Sequence, residues 1–271
     1  MSDTNSSVRA SIFEVISKIG NFKKFSIPIS PLFEGLADSD DNVRNFSVLA
    51  LEKYYNEEPN SINIDKIINK IDSQNLQSLN SVLSLLSKLW ECNPEKILTT
   101  FLIFIKFNDS ELKTRISNNI VDNFKKNPNL ILDKLIRVKD ESKYISKGII
   151  SKTITKISKE HPNDVIPNLI EYLSSNDKEV KLNVISSLDG LIEDYIDLIN
   201  LNSIINLFQD DSDNEVKKGA SQFISEISRI KPLALKPVFR SQFPCFQHTE
   251  IFFLDYLQQR PEQSIHHQLI L

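Results

Sequence analysis

Three lysines, Lys18, Lys53 and Lys88, stand 35 residues apart. Ammonium groups at a fixed interval make a basic ladder if the chain stacks its segments in register; otherwise they are solvated side chains on separate helix faces. Asn45, Asn80 and Arg115 lie on adjacent exposed positions and add amide and guanidinium donors. These six residues are the candidate partner-binding set, with an acidic partner as the chemistry they suit. The lysine column then changes to Asp122, Thr155, Gly190 and Glu226, so a ladder would cover only the N-terminal half.

Other reactive side chains fall in poor arrangements. The acid clusters at 38–41 and 210–213 lack the ligand spacing of a calcium loop and suit helix caps instead. His266 and His267 have no acid or cysteine spaced for metal binding, and His161 precedes a proline at a turn. No glycine-rich phosphate loop and no Gly-x-Ser-x-Gly elbow occurs. The expectation is therefore no catalytic residue, no metal and no cofactor.

What must position the six candidates is a folded, ordinary chain. It has 271 residues, 40% of them hydrophobic and 25% charged, a range typical of globular proteins. Only 5 glycines favours helices over tight-turn sheet structure. A net charge of -4 gives no overall pull toward nucleic acid or an anionic membrane. Cys92 and Cys245 lie far apart and read as free thiols. The polar N-terminus carries no secretory core, and no apolar run reaches the ~20 residues of a membrane helix. A cytoplasmic location is expected.

The organising signal is a repeat. Val8, Val43, Ser78, Leu112, Ile145, Val180 and Val216 begin equivalent segments 33 to 36 residues apart. Four residues on come Ile12, Ser47, Val82, Ile116, Ile149, Val184 and Ala220; eight on come Ile16, Leu51, Leu86, Ile120, Thr153, Leu188 and Ile224. These offsets mark one face of an α-helix. Three before each start stand Asn5, Asp40, Asn75, Asp109, Ser142, Asp177 and Asp213, all suited to N-capping. Pro59, Pro94, Pro128, Pro162 and Pro232 close the capped helices and open the next elements.

Between the capped helices, called B, lie second apolar segments such as SPLFEGLAD, IDKIINKID and LNSIINLFQDD. Each is predicted to form a helix A of about three turns. The first unit is a half repeat, a B helix with no A helix, which leaves one apolar side poorly covered; residues 20–30 are expected to fold back over it. A period of this length is the signature of a stacked array. Domains are placed at 1–236 for the array and 237–271 for a divergent capping repeat or a foreign tail. In the capping case Thr249 caps a last helix, with Phe252 and Tyr256 on its apolar face.

The motifs DDNVRNFSVLALEKY, DSELKTRISNNI, DKEVKLNVISSL and DNEVKKGASQFI resemble the HEAT-repeat family, in which an Asp precedes helix B and a Val is followed by Arg or Lys. The basic residue is present as Arg9, Arg44, Lys113, Lys181 and Lys217, and missing at Leu79 and Ser146. The resemblance implies an all-α fold: a right-handed α-α superhelix of about seven HEAT-type hairpins plus an atypical C-terminal cap, with B helices lining the concave side. It also implies a function, a non-catalytic scaffold that binds another protein along the concave face. The alternative is a nucleic-acid-associated HEAT protein, chromosome-organising or, more remotely, an alkylated-base glycosylase. A glycosylase would need aromatics around an acid, whereas the single tryptophan, Trp90, falls in a core column.

Overall fold

A computed structural model describes residues 3–19, 21–22, 25–58, 62–69, 76–107, 109–138 and 145–242. All regular structure among them is helical. The chain divides into two compact units, 1–127 and 128–271.

The first unit holds α1 (Ser6–Ile19), α2 (Ser30–Gly35), α3 (Asp41–Glu57), α4 (Ile64–Ile68), α5 (Leu76–Lys88), α6 (Pro94–Phe104) and α7 (Ser110–Asn123). The capped helices α1, α3, α5 and α7 pack in that order, each on the next. Helix α2 packs on α3, α4 on α5, and α6 on both α5 and α7. The short turns between partners force antiparallel hairpins.

The second unit repeats the scheme with α8 (Pro128–Ile136), α9 (Ile145–Glu160), α10 (Pro162–Tyr172), α11 (Lys178–Asp189), α12 (Ile192–Tyr195), α13 (Leu201–Asp210), α14 (Asn214–Ile230) and α15 (Pro232–Gln242). Here α9, α11 and α14 are the stacked B helices, and α8, α10 and α13 lie against them. Helix α15 packs on α13 and α14. The predicted boundary at 236/237 falls within α15. The segment with Thr249, Phe252 and Tyr256 lies outside the described residues, as do Cys245, His266 and His267.

The repeat columns become the core. Val43, Leu112, Val180 and Val216 are at most 1% exposed, and Val82, Ile116, Val184 and Ala220 are fully buried. Burying a whole aliphatic side chain stabilises by about 1.5–3 kcal/mol, so these columns are the main adhesive between layers.

The caps form as their residue types require. Asp40 accepts from the N–H groups of Asn42 and Val43, Asp109 from Leu112, Asp177 from Glu179, and Asp213 from Glu215 and Val216. Asn5 accepts from the Ser7 N–H at 2.9 Å. Asn75 and Ser142 lie outside the described residues. Pro94, Pro128, Pro162 and Pro232 are the first residues of their helices, where a missing N–H costs nothing; Pro59 lies outside the described residues.

Two expectations need correction. Helices α2 and α4 are 6 and 5 residues long, short of three turns. Gly35 ends α2 where a side chain would collide with Ser47 Oγ on α3 and press on the Phe13 ring of α1, so the backbone itself fills that space. Residues 20–30 also fail to cover α1, as far as they are described. Phe22 stands edge-on to Tyr54 of α3 at 5.1 Å, and the N–H groups of Asn21 and Phe22 donate to Glu57. The α3 end offers both an aromatic ring and a carboxylate, and it wins this segment; Val8, Ile12, Val15 and Ile19 stay exposed.

Basic residues just after four of the B-helix starts hold the turns between A and B helices. In the first unit Arg9 grips Asp38 of the next turn with two bonds of 2.8 Å, and Arg44 donates to the Asp38 carbonyl at 2.6 Å. In the second unit Lys181 pairs with Asp211, and Lys217 donates to the Gln209 carbonyl at 3.0 Å. One turn is thus held by basic side chains from two successive hairpins.

Candidate functional site

Helices α3, α5 and α7 present their solvent faces side by side and line a groove of about 420 Å³ in the first unit. Asp41, Asn45 and Leu49 come from α3, Asn80, Ser84 and Lys88 from α5, and Arg115 from α7. Four of the six candidate residues, Asn45, Asn80, Lys88 and Arg115, therefore meet. Lys18 and Lys53 do not line the groove.

Two lysines of the column bridge successive B helices, and the third, Lys18, pairs within its own helix with its side chain 72% exposed. Lys18 pairs with Glu14 one turn earlier at 2.5 Å. Lys53 donates to the carbonyls of Lys18, at 2.8 Å, and Ser17, at 3.4 Å. Those carbonyls end α1, where the helix dipole is negative and ammonium is favoured. Lys88 pairs with Glu52 on α3. The physical reason lies in the period: it sets the tenth residue of one B helix beside the last turns of the preceding one. The outcome is not a row of free ammonium groups.

What the groove leaves unpaired is different. Asp41 is taken by Arg44. Arg115 is half-buried and has no ion pair among the described residues. The Oδ1 atom of Asn80 is buried without a hydrogen-bond partner. A buried amide oxygen without a partner is costly unless a ligand or water satisfies it, and the half-exposed Arg115 guanidinium is open to an anion. Leu49 beside them is 45% exposed. Sequence reasoning missed Leu49 and Ser84. The one signal was an apolar residue six past Val43, off the buried columns.

A second concavity of about 410 Å³ lies in the second unit, lined in part by Asn129, Arg137, Asn168 and Tyr172. Its one cation is paired internally. Arg137 lies 5.8 Å above the Tyr172 ring and binds Asp133 at 2.6 Å, which raises the guanidinium pKa further. Burial, then Asp133, pushes the Tyr172 phenol up. Trp90 is fully buried, with Nε1 donating to Asn127 at 2.8 Å and its ring beside Phe101. It belongs to the core rather than to a base-binding surface. Cys92 is a half-buried free thiol whose pKa burial raises. Among the described residues no group of three or more His, Cys, Asp or Glu side chains could hold a metal ion. No described helix is long and apolar enough to cross a membrane.

No protein-family model and no curated protein matches the chain. Among solved structures, it is similar to a Kap121p mutant at 16% identity and a TM-score of 0.46, over 89% of this chain and 30% of that one. The chain thus spans under a third of Kap121p. It is also similar to computationally designed armadillo repeat proteins for modular peptide recognition, at 16% identity and a TM-score of 0.29 over 82% and 94% of the two chains. A designed armadillo repeat protein in complex with the peptide (KR)4 aligns at 16% identity and a TM-score of 0.29, over 80% and 90%. The fold assignment rests on the chain's own period, hairpin pairing and buried columns, which make it a HEAT/armadillo-like helical repeat protein.

Proposed function

We propose that this protein is a non-catalytic scaffold that binds another protein, with the B-helix groove of the first unit as its recognition surface. The groove lies among B helices, the side on which the family resemblance expects a partner to bind. The observation that carries the reading is the composition of its wall: the unpartnered Asn80 Oδ1, the half-exposed Arg115 guanidinium with no ion pair among the described residues, and exposed Leu49. An extended peptide offers the complement: main-chain groups for Asn45 and Asn80, an apolar side chain over Leu49, and a carboxylate for Arg115. Lys53 serves this surface indirectly, by tying α3 to the end of α1. The engaged lysine column and the net charge of -4 give the nucleic-acid reading little support.

The test is affinity capture with quantitative mass spectrometry, comparing wild type with an Asn80→Ala/Arg115→Glu double variant of unchanged helicity. Proteins that bind the groove are lost from the variant. Unchanged recovery of every captured protein refutes the groove as the recognition surface.

A further inference from the structure

The groove of the first unit has two unlike walls. Asp41 and Leu49 stand on α3 and Arg115 stands on α7, with α5 packed between those helices. Asp41 is bonded by Arg44 yet keeps 74% of its side chain exposed, so the α3 wall carries a carboxylate. Lys88 on α5 is held by Glu52. Arg115 is the lining cation with no ion pair among the described residues. Between the walls the buried Oδ1 of Asn80 has no donor. The groove therefore suits one anion at α7, one N–H donor over α5 and one apolar group over α3.

Resting on the scaffold reading above, we propose that the segment bound here is an extended peptide with a single Asp or Glu set five or six residues from an aliphatic side chain. Conformation follows from Asn80. Main-chain N–H groups inside a helix are bonded to the helix's own carbonyls, whereas an extended strand turns them outward, so extended chain brings a main-chain donor to the Asn80 oxygen. Leu49 is also the one large exposed apolar side chain lining the groove, whereas an amphipathic helix is matched by a row of them. Spacing follows from the stack. From α3 to α7 is two layers, about 16–20 Å at about 8–10 Å per layer, and an extended chain rises about 3.3 Å per residue. Charge follows from the walls. One open guanidinium takes one carboxylate through two parallel N–H donors. A second acid over α3 would face the exposed Asp41 carboxylate, so the apolar end of the segment lies there and polyacidic or phosphorylated segments are disfavoured.

A segment of this length buries less surface than a standard protein interface, so its dissociation constant is on the order of 10–100 μM. The carboxylate on Arg115 is its charge-assisted contact, and removing it weakens binding by about 10- to 100-fold.

Selection of a random dodecapeptide library, displayed on phage, against the full chain tests the proposal. Peptides that bind wild type and are lost on Asn80→Ala/Arg115→Glu, a variant of unchanged circular dichroism, are expected to share one Asp or Glu five or six residues from Leu, Ile, Val or Met. Synthetic peptides from that set are then measured by fluorescence anisotropy. Replacing the peptide's acid by its amide weakens binding to wild type by about 10- to 100-fold, and replacing it by lysine restores binding to Arg115→Glu. Main-chain N-methylation at one position of the peptide weakens binding to wild type and has no further effect on Asn80→Ala. Groove-dependent peptides that are basic or polyacidic, or that carry apolar residues at helical spacing, overturn this inference and leave the scaffold reading standing. A selection that yields no groove-dependent peptide overturns both.

Discussion

Breaking the Lys181–Asp211 pair measures how firmly α11 is tied to the turn before α14. The Asp211 side chain is 4% exposed and that of Lys181 is 16% exposed. Two unit charges about 3 Å apart attract by about 5 kcal/mol at an effective dielectric constant near 20. Desolvation of both groups cancels most of that gain. A charge-assisted hydrogen bond is worth about 1.5–3 kcal/mol net, and screening at the open edge of this turn reduces it to about 1–2 kcal/mol. Asp211→Asn keeps the acceptor that takes the Asp213 N–H at 2.9 Å and removes only the charge. At roughly 2–4 °C per kcal/mol, Asp211→Asn is expected to lower Tm by about 2–8 °C.

Calorimetry on wild type, Asp211→Asn, Lys181→Met and the double variant gives the coupling energy. The pH dependence supplies an independent check. Burial opposes the Asp211 charge, but the Lys181 hydrogen bond and the Asp213 N–H outweigh it, so its folded pKa lies below the ordinary 3.8. A depressed carboxylate contributes stability that is present above its unfolded value and lost as pH falls through the folded one. The Tm gap between wild type and Asp211→Asn should therefore be full at neutral pH and close below pH 3.8. A coupling near zero, or a gap that persists in strong acid, refutes the inter-hairpin clamp.

Two further perturbations probe the hairpins. Asp213→Ala removes the acceptor for two N–H groups at the start of α14 and should cost about 1 kcal/mol in denaturant unfolding, with Asp213→Asn restoring most of it. Gly35→Ala drives a methyl group into Ser47 and Phe13 and should cost about 1–3 kcal/mol; a Ser47→Ala partner should relieve part of the loss, and no relief would show that the contact is not the cause.

The sequence by itself determined the elements and their order. Cap oxygens, dipole-suited acids, closing prolines and apolar columns act within about four residues of where they stand, so they are readable as text. The helices starting near Val43, Leu112, Val180 and Val216 follow from them directly. Partner choice among side chains was decided only in the tertiary structure. Lys18, Lys53 and Lys88 share a column, and their spacing is equally compatible with free ammonium groups. Stacking brought Lys53 to the last carbonyls of α1 and Lys88 to Glu52, and left Arg115 as the unpaired cation of the groove. Coulomb and hydrogen-bond energies depend on separations of a few ångströms between residues some 35 positions apart, and a linear pattern does not contain those separations. The same reason governs α1: its columns match those of its siblings, yet whether they are covered depends on which helix lies across them in space.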